Sequence, residues 1–297
     1  MPETLTICPG CGENRFDAYI DSRDYFLTSQ KFSIQVCLTC GLRVTNPRPT
    51  IEEIDKYYES NEYISHESAK KDLITMVYKC ARFFSVRQKF AIIDRYIKGK
   101  YLLDIGCGTG ELIHYCASKG YLVEGIEPNS KARNLAMSRY QLTVKAKLSD
   151  LTDNTHHYDC ITLWHVLEHI HQINESIKNI RQLLNKNGIV IVAVPNSSSW
   201  DAYHYKNFWA AYDLPRHLYH FTENTLQTIF TKKGFNQIIR IPQKLDAYYI
   251  SLLSEEYKTN KKNITKALIN GFKSNMFAKR REFGYSSIIL VFTSKIV

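Results

Sequence analysis

The feature that most constrains this 297-residue chain is a glycine-rich turn, Gly106-Cys107-Gly108-Thr109-Gly110. It follows a short apolar strand expected over 101–105 and opens a helix over 111–119. Such a turn omits Cβ atoms where a ligand approaches the backbone, and it exposes the first amides of the helix. The rest keeps the same rhythm. Strands are expected at 121–126, 142–146, 158–163, 189–194, 237–241 and 286–293. Helices are expected at 131–140, roughly 174–184, and 222–230 with Thr222 as cap. Gly120, Asn187-Gly188 and Gly234 punctuate the series. Strands alternating with helices imply an α/β fold, a mostly parallel sheet with helices on both faces.

Spacing separates the candidate ligands. The dinucleotide fingerprint needs a glycine at position 111, where this chain has Glu111, so a nicotinamide oxidoreductase is disfavoured. Asp104 stands two residues before the first glycine, and the second strand ends in Gly125-Ile126-Glu127-Pro128. A carboxylate at that strand end can accept two hydrogen bonds from ribose hydroxyls. The bland alternative is a packing turn beside an exposed glutamate.

These residues resemble motifs I and II of the class I S-adenosylmethionine-dependent methyltransferases. The likeness extends through Tyr158-Asp159-Cys160-Ile161-Thr162-Leu163-Trp164-His165-Val166-Leu167-Glu168-His169, similar to the family's fourth strand and following helix start, and through the strand ending at Pro195-Asn196. The resemblance implies a Rossmann-like sheet of seven strands, one of them antiparallel, and S-adenosylmethionine as cofactor. Carried over, Asp104, Gly106, Cys107, Gly108 and Gly110 line the methionine half, and Glu127 with Pro128 holds the ribose. Trp164 and His165 border the sulfonium and the acceptor. The adenine end falls to Leu148 or Asp150, and His169 and His171 read as helix-start residues.

Cys8-Pro9-Gly10-Cys11-Gly12 and Cys37-Leu38-Thr39-Cys40-Gly41 have the form of two metal-binding knuckles, with 25 residues between the pairs. Four thiolates favour a closed structural zinc site, with iron in a rubredoxin-like site and a disulfide as the alternatives. The module resembles the N-terminal zinc ribbon of a bacterial methyltransferase subgroup often associated with sugars and surface polysaccharides. The other cysteines (Cys80, Cys107, Cys116, Cys160) read as small core residues. The prolines of Asn46-Pro47-Arg48-Pro49 mark a boundary, giving a ribbon module over 1–48, a helical linker or lid over 49–99 and a methyltransferase domain over 100–297. Thr50 and Glu53 form a capping-box pattern, and Leu73, Val77, Ala81 and Phe84, then Val86, Phe90, Ile93 and Ile97, recur at helical spacing.

After the fifth strand, residues 197–221 hold eight aromatic residues and three histidines, including Trp209, Tyr212 and Pro215-Arg216-His217. The segment leaves the sheet at its carboxyl edge, where ligands bind in open α/β folds, and aromatic walls suit a sugar ring or a planar acceptor. Trp209, Tyr212, Arg216 and His217 are therefore acceptor candidates, against a loop merely pinned to the core. His217 is the candidate general base and His165 the alternative.

A composition 44% hydrophobic and 23% charged is that of a globular protein. No basic-then-apolar leader opens the sequence and no apolar stretch approaches the length of a membrane span, so the expectation is a cytoplasmic protein. The net charge of +10 arises largely within 258–282, where eight Lys or Arg face one acidic residue, read as a solvated helical insertion. That patch and the metal module keep a nucleic-acid methyltransferase as a rival. The fourth strand lacks both the Pro-Pro-aromatic motif of base-amino methylation and a Pro-Cys pair. A non-enzymatic zinc-ribbon binding protein is the other rival. The expected partner is a small-molecule acceptor, with a carbohydrate precursor suggested by the subgroup.

Overall fold

The computed structural model describes residues 2–58, 73–151 and 157–294. In chain order it begins with strands β1 (Phe16–Arg23), β2 (Lys31–Cys37) and β3 (Arg43–Thr45), followed by a 3-10 turn (Ile54–Tyr57). Helix α1 (Leu73–Tyr96) leads into β4 (Tyr101–Ile105), α2 (Glu111–Ser118), β5 (Leu122–Ile126), α3 (Ser130–Tyr140) and β6 (Val144–Lys145). Next come β7 (Tyr158–Trp164), α4 (Ile173–Leu183), β8 (Leu184–Pro195), α5 (Trp200–Tyr205) and β9 (Tyr219–His220). The chain continues through α6 (Glu223–Lys232), β10 (Phe235–Gln243), α7 (Asp246–Thr259), α8 (Ile264–Lys279) and β11 (Ser287–Ser294).

Seven strands form the main sheet in the order β10-β11-β8-β7-β4-β5-β6. Only β11 runs against its neighbours, pairing antiparallel with both β10 and β8, which is the expected arrangement of one reversed strand. The sheet is covered on both faces, so its central strands read as continuous apolar runs. Their alternate residues sort into two cores. Val190, Val192, Val194, Ile288, Leu290 and Phe292 face α4 and α6, while Ile189, Ile191, Ala193, Ile289 and Val291 face α1 and α2.

The cysteine-bearing segment does not stand apart. β1, β2 and β3 form a second, antiparallel sheet whose fourth strand is β9, contributed from the segment after β8. Cys8, Cys37, Leu42 and Val44 join the same core as α4 and α6, and Asn174 Nδ2 donates to the Pro9 carbonyl at 2.8 Å.

Several expected elements take other forms. The Thr50–Glu53 pattern yields a turn and the short 3-10 helix with no side-chain cap, not an α-helix, and the Tyr57 carbonyl instead accepts from Arg216 Nη1. The two helical runs expected before Gly99 merge into α1. The linker residues 59–72, and the side chains of 73–82 including Leu73, Val77, Ala81 and Cys80, lie outside the described residues. β8 begins at Leu184, directly after α4, because Leu184 pairs with Tyr158. Gly188 therefore lies within the strand, where an added Cβ would meet the Tyr158 carbonyl at 2.8 Å. The basic segment becomes the end of α7 and the whole of α8, with its lysines exposed.

Candidate functional site

The glycine turn sits at the carboxyl ends of β4 and β5. Gly106, Gly108 and Gly110 all have positive φ (75°, 55° and 83°), a region that L side chains rarely adopt. Space adds a second constraint at Gly106, where a Cβ would lie 2.3 Å from Val166 Cγ2. At Gly108 a Cβ would meet nothing within 4 Å, so the turn has an open face there. Cys107 packs the other way, its sulfur against Gly125, and burial pushes its thiol up.

Glu127 follows β5 and turns its carboxylate back to the loop. Its oxygens accept from the amides of Gly108 and Asn129, both at 2.8 Å. Two bonds leave lone pairs free for further donors. Burial raises its pKa, opposed by those two amides and by Arg133. Asp104, at the end of β4, is buried and accepts from Thr162 Oγ1 at 2.5 Å. Burial pushes its carboxyl up to about 6, with Thr162 and Lys89 pulling the other way. Pro128 is exposed beside Glu127, Leu148 is half-buried, and the Asp150 carboxylate closes its own turn on the Lys147 amide.

Trp164 ends β7, buried, with its indole N–H lacking a partner among the described residues and Lys89 Nζ 5.1 Å from the ring centroid. His165 follows with φ 56°, an uncommon and strained conformation for a non-glycine residue. Its amide extends the ladder to the Ala193 carbonyl at 2.9 Å. The imidazole lies between two carboxylates, Nε2 3.4 Å from Asp246 and Nδ1 3.6 Å from Glu168. Burial works against the charged ring, but the two carboxylates outweigh it and raise its pKa to about 9. An imidazolium has no lone pair, so at neutral pH His165 is poorly suited to act as a base.

The aromatic segment is placed differently from the expectation of an open wall. Trp209 and Tyr212 are each 2% exposed. The Trp209 indole donates to buried Asp201, which also receives the hydroxyls of Ser274 and Ser286. Arg216 is equally committed. It donates to Asp213 through Nε (3.0 Å) and Nη2 (2.6 Å), to Asp24 (3.2 Å) and to the Tyr57 carbonyl (3.0 Å). These three residues tie the aromatic segment to the core and to the first sheet; their polar groups face inward. His217, nearly buried, donates from Nδ1 to the Ala211 carbonyl at 2.9 Å, which leaves Nε2 toward Asp213 at 3.8 Å.

Beside His217 stand two residues that sequence reasoning assigned to a helix start. Glu168 and His169 lie in a short 3-10 turn, with α4 beginning only at Ile173. Ligand atoms of Glu168, His169 and His217 lie within 4.8 Å of one another. Asp246, the second partner of His165, comes from the start of α7 and had no local signal. Glu168-His169 did: both follow a strand end at the carboxyl edge, where polar side chains face the ligand side.

The second polar cluster is that of Cys8, Cys11, Cys37 and Cys40, whose sulfurs also lie within 4.8 Å of one another. The Cys8–Cys40 and Cys11–Cys37 separations are 3.6 and 3.5 Å.

A family model described as a methyltransferase domain matches residues 78–239, more than half of the chain. The chain belongs to this methyltransferase-domain family. The match runs from within α1 through β10 and includes the glycine turn, Glu127, Trp164, His165 and the aromatic segment. The chain is 30% identical over 133 residues to a ubiquinone biosynthesis O-methyltransferase of Coxiella burnetii, covering 43% of this chain and 56% of that protein. A relative of the same name from Glaesserella parasuis is 31% identical over 113 residues, covering 34% and 48%. The chain thus spans about half the length of the curated relatives it matches. Among solved structures, a SAM-dependent methyltransferase from Archaeoglobus fulgidus superposes with a TM-score of 0.52 at 18% identity, covering 75% of this chain and 100% of that one. A magnesium protoporphyrin IX methyltransferase from Synechocystis with bound SAH gives 0.52 at 16% identity, covering 81% and 97%. At such identities the likeness is one of fold. No helix among the described residues is long and apolar enough to cross a membrane.

Proposed function

We propose that this protein is an S-adenosylmethionine-dependent methyltransferase acting on a hydroxyl of a small molecule. The observation that carries the reading is the pairing of Glu127 with the glycine turn. A carboxylate with spare lone pairs stands beside Gly108, whose outer face is open. The residues present suit the cofactor. Glu127 would take the ribose hydroxyls beside Pro128, and Asp104 the ammonium of the methionine half. Leu148 would lie toward the adenine, and the unpartnered Trp164 indole N–H offers a further donor.

When bound, the cofactor supplies an electrophilic methyl on a sulfonium whose sulfur is already a good leaving group. The work of the chain is alignment and proton removal. His165 with its two carboxylates carries a net negative charge suited to a neighbouring sulfonium. The acceptor's proton falls to the cluster around His217, where the imidazole is oriented by the Ala211 carbonyl. Oxygen is preferred as the methylated atom because the relatives are named for O-methylation, and a ring hydroxyl over a carbohydrate because that name places them in ubiquinone biosynthesis. Zinc is proposed for the four cysteines. Tetrahedral bonds of ~2.3 Å put sulfurs about 3.8 Å apart, close to the separations present, and leave no open position. Its role there is structural, holding the first sheet and, through β9, the acceptor segment.

Calorimetry tests the assignment. The chain should bind S-adenosylmethionine or its demethylated product and not NAD. Gly106→Val should abolish binding, and Glu127→Ala should weaken it by about 1–3 kcal/mol through lost charge-assisted hydrogen bonds. Tight NAD binding with no response to either sulfur compound overturns it.

A further inference from the structure

We propose that Glu168, His169 and His217 form a second metal site, for a divalent transition-metal ion, separate from the four cysteines and keeping coordination positions open. Its link to an acceptor oxygen rests on the methyltransferase reading above; the site itself does not.

The first observation is the state of Glu168. Its side chain is fully buried and, among the described residues, neither carboxylate oxygen has a hydrogen-bond partner. It faces His165, whose Nδ1 lies 3.6 Å from Oε1, beyond hydrogen-bonding distance. Buried carboxylates without hydrogen bonds are costly, and metal coordination is one of the few arrangements that offsets the cost.

The second is the tautomer of each histidine. His169 Nδ1 lies 3.0 Å from the Arg216 carbonyl, and His217 Nδ1 lies 2.9 Å from the Ala211 carbonyl. A carbonyl only accepts, so each Nδ1 carries a proton, and in the neutral ring the lone pair is on Nε2. The Tyr58 hydroxyl, 2.9 Å from His169 Nδ1, acts as a second acceptor when that nitrogen carries the proton. A backbone carbonyl on one ring nitrogen and an unprotonated second nitrogen is the usual setting of a metal-binding histidine. The rings meet edge to face with centroids 4.6 Å apart.

Geometry supplies the third. One ligand atom from each residue lies within 4.8 Å of the others. Bonds of ~2.0–2.2 Å hold neighbouring ligands about 3–3.5 Å apart, so a contraction of up to about 1.3–1.8 Å completes the site. Asp213 is drawn to Arg216, which donates to both its oxygens, and is not counted among the ligands. Two imidazoles and a carboxylate suit zinc, manganese, cobalt or ferrous iron rather than calcium or magnesium, and three protein ligands leave room for an oxygen ligand. The site stands two residues beyond Val166, the residue packed on Gly106. Glu168 thus follows closely on the residue that packs against the glycine turn, and a hydroxyl bound to the ion would be made more acidic.

The full chain, with zinc at the cysteines, is titrated with Mn2+ by electron paramagnetic resonance and with Co2+ and Zn2+ by calorimetry. The expected result is one further ion per chain, with water-proton relaxation showing exchangeable water on bound Mn2+. Glu168→Gln and His217→Asn should weaken that ion at least tenfold while cysteine-bound zinc is retained. Absence of a further ion with all three metals, or equal binding in Glu168→Gln, overturns the proposal; lack of exchangeable water overturns the open positions. Binding of S-adenosylhomocysteine is measured on the same samples. Its retention without a second metal refutes this site and leaves the methyltransferase reading standing, and the converse refutes only the latter.

Discussion

Replacing Arg216 by alanine separates two roles for a residue that sequence places at the acceptor and the structure engages internally. The substitution deletes four hydrogen bonds, to Asp213 twice, to Asp24 and to the Tyr57 carbonyl, and leaves two carboxylates without their cation. Removing one partner of a buried ion pair costs about 3–5 kcal/mol. The two carboxylates differ in how well they withstand this. Asp24 is fully buried but still accepts from the amides of Phe26, Leu27 and Thr28 and from the Thr28 hydroxyl. Asp213 is 29% exposed and can recruit water. The expected loss is therefore at the lower end, about 3 kcal/mol, a large share of a typical stability of about 5–15 kcal/mol. Arg216→Lys should recover only part, since one ammonium cannot reproduce a two-pronged contact. The assay is equilibrium urea denaturation of the zinc-loaded chain. A midpoint within about 0.5 kcal/mol of wild type, with turnover selectively lost, would refute the internal tie and return Arg216 to the acceptor.

Four further outcomes are expected. Burial raises Asp104 from about 4 to about 6, so its contribution to stability is full below pH 4 and lost as pH rises through 6; Asp104→Asn should flatten stability across that window in denaturation at several pH values. Cofactor affinity should follow the opposite trend, strengthening from pH 5 to 7 as the carboxylate ionises, and calorimetry showing no change over that range removes Asp104 from the ammonium contact. Elemental analysis should find zinc at the four cysteines, lost in Cys37→Ser, and chelation should disturb the 197–221 segment as well because β9 completes the first sheet. His217→Asn should leave cofactor affinity intact and lower turnover by roughly 10²–10⁴, whether the imidazole takes the acceptor's proton or holds the metal ion beside it, and wild-type turnover would remove His217 from the chemistry.

What the sequence determined by itself was local and periodic. A glycine turn between an apolar strand and a helix, an acidic strand end, and two Cys-x-x-Cys pairs each require particular residue types at fixed short spacing, because backbone conformation and ligand geometry demand them. Strand positions were legible for the same reason: side chains alternate between two covered faces, as Val190 and Ile191 do. Tertiary structure alone decided where polar side chains spend their hydrogen bonds. Trp209 and Arg216 looked like acceptor contacts until Asp201, Asp24 and Asp213 took their donors, partners up to 192 residues away. The Thr50 pattern failed as a helix cap, and the Tyr57 carbonyl was claimed by Arg216 from across the molecule. Glu168, His169 and His217 became one cluster only when the turn after β7 and the segment after β8 met at the same edge of the sheet. Short-range spacing is written in the chain, whereas a buried charge finds its partner through the packing of elements far apart in sequence.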